Sequence, residues 1–154
     1  MRLILLAAGL AAAAPVLAET VALQCGEVFD SKSARLTGAR TIVASEGRIG
    51  QVLPGRVAVP GARVVDLAGQ TCMPGWIDLH VHLANESNPR AYEERFRLDD
   101  ADFAFRAVGF AEKTLLAGFT TVRDLGGEVT LKLRDAINQG LVRGPRIYAA
   151  GKSI

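Results

Sequence analysis

Two different hydrophobic periods divide the chain. Over residues 19–71, apolar and polar residues alternate in short runs separated by turn residues, which predicts a small antiparallel β unit. Glu46 and Gly47 lie between two of these runs and predict a tight hairpin turn, since glycine accepts the positive φ that such turns need. The predicted strands of this unit cover residues 21–25 with 27–29, 40–44, 48–53 and 63–67.

After residue 98 the period becomes helical. One predicted helix begins at Asp99 or Asp100 and ends at Gly118, and a second covers residues 129–139. Strands are predicted before, between and after these helices, over residues 76–83, 119–125 and 146–150. Strand, helix, strand, helix, strand without a hairpin is typical of a parallel sheet, so we predict an α/β fold here.

The strand over residues 76–83 combines an apolar face with a polar one, because successive side chains point to opposite sides. The predicted apolar face comprises Ile77, Leu79, Val81 and Leu83. The other face comprises Trp76, Asp78, His80 and His82. On this pattern the two histidines lie one pleat apart and can bind one metal ion. Taken alone, the spacing also fits two solvent-facing histidines that bind nothing.

The sequence of residues 74–82, Pro-Gly-Trp-Ile-Asp-Leu-His-Val-His, closely resembles the first barrel strand of the metal-dependent amidohydrolase superfamily. Residues 118–127 and 144–151 resemble the second and third strands of the branch that holds imidazolonepropionase-like proteins and exported Xaa-Pro or Xaa-Arg dipeptidases. The resemblance implies an incomplete (β/α)8 TIM-type barrel over residues 74–154. It also implies that residues 19–73 are the N-terminal part of a β-sandwich domain.

The resemblance further implies that His80 and His82 bind a divalent metal, with zinc expected as one or two ions. Such an ion lowers the pKa of a bound water from about 15.7 to about 7. In the family, the remaining ligands are a lysine, two histidines and an aspartate on later strands, which would lie beyond Ile154. Because a complete barrel has about 250 residues and eight strands, we expect an N-terminal fragment that alone is poorly folded and inactive.

Several other features have two interpretations. Asp78 either fixes an imidazole or belongs to the barrel floor. Arg123 and Asp124 either orient a substrate or ligand, or form a buried pair between neighbouring strands. The loop over residues 84–98 is either a substrate-covering segment or a solvated connector with a short helical turn. Lys152 follows the third strand rather than the fourth, so we expect an ordinary surface lysine.

Residues 1–18 are typical of an export signal, with Arg2, an apolar run over residues 3–14 and small residues before position 18. The run is too short to be a stable membrane span, and a buried N-terminal helix is the alternative. We therefore expect a periplasmic or secreted protein. An oxidising compartment permits a disulfide between Cys25 and Cys72, but their apolar, strand-like surroundings favour two buried thiols.

The net charge of +2 gives no reason to expect nucleic acid or an anionic membrane as a partner. The expected partner is a small-molecule substrate. By resemblance, the full-length protein is expected to hydrolyse carbon-nitrogen bonds in amides or cyclic amides, with dipeptides as the leading substrates. The alternative is a non-catalytic exported module that binds metal or needs a second polypeptide. The sequence does not specify the oligomeric state.

Overall fold

The structure is a computed structural model and describes residues 19–152. The expected export signal therefore lies outside the described residues. The chain divides into two compact units between Met73 and Pro74. Among the described residues there is no helix with both the length and the apolar character that a membrane crossing requires.

The first unit is a five-stranded sheet. Its strands are β1 (Val21–Asp30), β2 (Arg35–Leu36), β3 (Arg40–Ser45), β4 (Arg48–Pro54) and β5 (Arg63–Cys72). β1 pairs antiparallel with β2 and β3, and β3 pairs antiparallel with β4. β5 instead lies parallel to β1, so the prediction of a wholly antiparallel unit is wrong. The alternation of apolar residues marks a strand but does not encode the direction of its neighbour.

The hairpin between β3 and β4 turns at the predicted residues. Glu46 and Gly47 have positive φ angles of 53° and 71°, and Ser45 faces Arg48 across the turn. Two successive positive φ angles match the right-handed twist of the flanking strands. The predicted hairpin turn is therefore confirmed.

Cys25 and Cys72 form a disulfide, with their Cα atoms 5.9 Å apart, so the preference for two free thiols is wrong. The parallel pairing of β1 with β5 has an irregular register after Cys25 and places Val28 opposite Cys72. The two cysteines are 47 residues apart. Their proximity depends on this long-range pairing, which the apolar surroundings of each cysteine do not reveal.

The second unit alternates strands and helices as predicted, but residues 91–97, which were predicted as part of a loop, form an additional helix. Its three parallel strands are β6 (Trp76–Val81), β7 (Phe119–Asp124) and β8 (Arg146–Ala149), in that spatial order. Its helices are α1 (Ala91–Arg97), α2 (Asp100–Leu116) and α3 (Glu128–Asn138). Asp99 caps α2, because its side chain accepts hydrogen bonds from the backbone N–H groups of Ala101 and Asp102.

One face of the parallel sheet packs against helices, and the other is open. The core residues come from the strand ends, α2 and α3, and are Leu83, Ala107, Ala111, Val122, Leu133 and Ile147. On the open face, Ile77, Leu79 and Tyr148 are 62%, 60% and 63% exposed. The second unit therefore has one packed face and one uncovered face, on which large apolar side chains are exposed.

Candidate metal centre

Strand β6 carries His80, and His82 is the first residue after its end. The pairing of β6 with β7 is irregular. Asp78 faces Val122 and Val81 faces Asp124, so three steps along β6 match two steps along β7. This is a β-bulge, in which one extra residue bends a strand and changes which way the following side chains point. The bulge lies at Leu79 and His80, and Val81 separates it from the second histidine.

The bulge changes the predicted faces of the strand. Ile77 and Leu79 lie exposed on the open face, whereas Leu83 belongs to the core and Val81 packs against it. The prediction that these four residues share one apolar face is wrong. A strict two-residue period cannot anticipate an inserted residue.

Side chains satisfy the backbone groups that the bulge leaves unpaired. The N–H of His80 donates to Oδ1 of Asp78 at 2.9 Å, and Nε of Arg123 donates to the carbonyl of Leu79 at 2.8 Å. Asp78 thus fixes the backbone of His80. Neither interpretation from the sequence foresaw this bond, and among the described residues Asp78 bonds to neither imidazole.

The two imidazoles lie close together and are exposed to solvent. Their ring centroids are 5.5 Å apart and their planes are inclined by 67°. Two imidazoles on one tetrahedral zinc ion, with Zn–N bonds of about 2.0–2.1 Å, have centroids separated by about 5 Å. Within residues 19–152, neither side chain has a hydrogen-bond partner, so the ring nitrogens are available. The separation of the two rings therefore matches that of two imidazoles on one metal ion.

A catalytic zinc site usually has three protein ligands and one open position. Residues 19–152 contain no group of three or more His, Cys, Asp or Glu side chains arranged to hold a metal ion. Lys152 is exposed, as an ordinary surface lysine would be. A site of that kind would need at least one ligand in addition to the two imidazoles.

Arg123 and Asp124 do not form the buried pair that was one of their two interpretations. Arg123 is exposed and bonds to the backbone of β6, whereas Asp124 is fully buried. The carboxylate of Asp124 accepts hydrogen bonds from Leu83, Gly126 and Thr130. Neither interpretation of Asp124 from the sequence included this role. The available signal was an aspartate at a strand end with two glycines two and three residues later, a typical setting for a carboxylate that bonds to nearby backbone.

The loop after His82 lines a cavity of about 750 Å³, to which His82 and the side of α2 also contribute. Glu94 on α1 holds this loop in place. Its Oε2 accepts a hydrogen bond from Nδ2 of Asn88 at 3.2 Å and lies 3.0 Å from Nη1 of Arg106. The Asn88 hydrogen bond, followed by Arg106, lowers the pKa of Glu94 below its ordinary value. The loop is thus tied to both helices beside His82.

Comparisons with known proteins agree with one another. Residues 71–154 match the amidohydrolase family. A dihydroorotase from Anaeromyxobacter sp. (strain K) is 30% identical over 138 residues, covering 88% of this chain and 29% of that protein. An imidazolonepropionase from Saccharopolyspora erythraea is 28% identical over 123 residues, covering 79% of this chain and 31% of that protein.

A solved structure of a Xaa-Pro dipeptidase with methionine bound in its active site is also similar. It is 34% identical and superposes with a TM-score of 0.81, covering 88% of this chain and 34% of the dipeptidase. The chain therefore spans about a third of the length of the proteins it matches.

Proposed function

Because the chain belongs to the amidohydrolase family, we propose that the complete protein is a metal-dependent hydrolase of carbon-nitrogen bonds. His80 and His82 are two of its metal ligands in this proposal. The observation that carries it is the pair of adjacent imidazoles, exposed and without hydrogen-bond partners among the described residues, at the carboxyl edge of a parallel sheet. In parallel α/β barrels this edge holds the active site.

The proposed architecture is a (β/α)8 barrel whose first three strands are β6, β7 and β8, preceded by part of a β-sandwich. The parallel order of these strands supports it. The exposed apolar side chains on the uncovered face of the sheet also support it, since a barrel interior is filled by side chains from all eight strands. In this architecture the remaining metal ligands come from later strands of the complete protein.

When bound, a divalent ion, with zinc as the expected one, supplies a water of lowered pKa for attack on an amide carbon. The residues of this chain hold and orient the site. Asp78 and Arg123 fix the bulged backbone around His80. The cavity beside His82 gives a small substrate access to the site, and the loop over residues 85–89 forms one wall of it.

Dipeptides are the proposed substrates, supported by the likeness to a Xaa-Pro dipeptidase at 34% identity. Cyclic amides are the second candidate class, supported by the likeness to a dihydroorotase and an imidazolonepropionase. Both classes place a polarised carbon-nitrogen bond at the metal, so the same histidine pair serves either reaction.

We also propose that the protein is exported to the periplasm or secreted. The apolar segment over residues 3–14 and the small residues that follow support export. The disulfide between Cys25 and Cys72 is consistent with an oxidising compartment.

The decisive experiment uses the complete protein and the double variant His80→Ala/His82→Ala. We expect its zinc content, measured by atomic emission, to fall to background together with hydrolysis of Xaa-Pro dipeptides. Lys132→Ala, an exposed change on α3, is the matched control and should retain both. Unchanged zinc content in the double variant would remove both histidines from the ligand set. Full zinc content without turnover of dipeptides or cyclic amides by the wild-type protein would favour the non-catalytic module.

A further inference from the structure

We propose that Asp124 is a positioning residue of the metal centre, which fixes the backbone on the C-terminal side of His82. This inference rests on the proposed metal-binding role of His80 and His82. Asp124 is the last residue of β7, where it faces Val81 across the sheet. Its side chain is completely buried, and a buried carboxylate is costly unless hydrogen bonds compensate for the lost water.

Both carboxylate oxygens of Asp124 accept hydrogen bonds. Oδ2 accepts the backbone N–H of Leu83 at 2.7 Å. Oδ1 accepts the N–H of Gly126 at 3.1 Å and the hydroxyl of Thr130 at 3.0 Å. The Asp124 side chain therefore connects the segment after β6, the turn after β7 and the first turn of α3. Hydrogen bonds to an ionised acceptor are shorter and stronger than those between neutral groups.

The bond to Leu83 restrains the backbone just after β6, where pairing with the neighbouring strand has ended. β6 ends at Val81, so His82 lies one residue past the last paired position. Leu83 is its direct neighbour, and the Leu83 N–H belongs to the peptide unit that begins at the carbonyl of His82. Asp124 thus supplies a bond that the strand ladder no longer provides.

Two further contacts complete the restraint on His82. Its carbonyl accepts the N–H of Asn85 at 3.1 Å, and the side chain of Leu83 is buried in the core. With both sides of this peptide unit held, the backbone that aims the imidazole is fixed before any ion arrives. Ligands held in their binding geometry in advance lose less entropy when the metal binds, so the affinity is higher.

The test compares two variants of the complete protein that remove different bonds of Asp124. Asp124→Asn keeps the shape but replaces one acceptor with an amide N–H2, so the three donors can no longer all be satisfied. Thr130→Val removes a hydroxyl from the same buried cluster and leaves the Leu83 contact in place. Both variants should lower the melting temperature, because each leaves a buried hydrogen-bonding group without its partner.

The two variants should differ in their affinity for zinc. Titration of the metal-free protein with Zn²⁺ alone should show a Kd raised about 10–100-fold for Asp124→Asn, as for other residues that orient metal ligands. Thr130→Val should bind Zn²⁺ as tightly as the wild type. Equal Kd values for Asp124→Asn and wild type, or an equal weakening in both variants, would reduce Asp124 to a structural residue and overturn the proposal.

A second measurement needs no variant and applies even if Asp124→Asn does not fold. In the metal-free wild-type protein, the amide of Leu83 should already be protected from hydrogen exchange. An amide that exchanges freely until Zn²⁺ is added would show that the metal orders this segment, against the proposal. The His80→Ala/His82→Ala variant tests the proposed function separately, because its zinc content does not depend on what Asp124 does.

Discussion

The two units of the chain are stabilised by different means. In the first unit, Ala22, Cys25 and Thr41 are the only buried residues among those described, so its sheet depends on backbone pairing and the disulfide. The second unit has a core of apolar side chains between the sheet and two helices. Its opposite sheet face is uncovered and exposes Ile77, Leu79 and Tyr148. One unit is therefore stabilised by a covalent link and the other by packing on a single face.

Removing the disulfide should destabilise the first unit far more than the second. A disulfide that closes a loop of 47 residues stabilises by about 4 kcal/mol in the chain-entropy model. In the double variant Cys25→Ala/Cys72→Ala, amides of residues 19–73 should lose protection in hydrogen-exchange mass spectrometry. The amides of residues 76–149 should keep theirs, because the core there contains no cysteine. Equal loss in both units would contradict this division.

Truncating neighbouring residues on β8 should distinguish the two faces of the parallel sheet. Ile147 is buried and Tyr148 is exposed, so Ile147→Ala should cost about 3 kcal/mol in this chain. Tyr148→Ala should change the free energy of unfolding by less than about 0.5 kcal/mol. Urea denaturation measures both values.

The same pair of variants in the complete protein tests the barrel. If later strands cover the open face, Tyr148→Ala should become destabilising by more than about 1 kcal/mol. An effect as small as in the shorter chain would mean that the open face remains uncovered.

Two glycines of the second unit should respond to the same substitution with opposite signs. A Cβ on Gly75, at the entry to β6, would lie 2.2 Å from the side chain of Thr120, so Gly75→Ala should destabilise by about 1–3 kcal/mol. Gly109 lies within α2, and a Cβ there meets no atom within 4 Å. Gly109→Ala should stabilise by about 0.5–1 kcal/mol. Thermal unfolding of the two variants should therefore shift in opposite directions.

Local signals in the sequence predicted much of the fold. The cap at Asp99 and the turn at Glu46 and Gly47 depend on residues close in sequence, and both are present in the structure. The family predicted from residues 74–82 is confirmed by the match over residues 71–154. The exposed pair His80 and His82 lies together as expected, whereas its role as a metal ligand pair stays a prediction.

The features that sequence reasoning missed all depend on distant segments. The parallel pairing of β1 with β5 brings Cys25 and Cys72 together, and no local period indicates the direction of a neighbouring strand. The bulge before His82 arises from the pairing of β6 with β7. The bond from Leu83 to Asp124 joins residues 41 apart, so neither local sequence contains the other partner.

The parallel β1–β5 pair also determines the order in which the first unit can assemble. During synthesis from the N-terminus, β3 and β4 can close their hairpin soon after they are made, because their contacts are local. The partners of β1 in β5 are made 42 positions later, as the pairing of Val21 with Arg63 shows. The Cys25 thiol therefore has no native partner until Cys72 is synthesised, 47 residues later. During that interval its thiolate can attack another disulfide, which forms a mixed disulfide and releases the other sulfur as a thiolate.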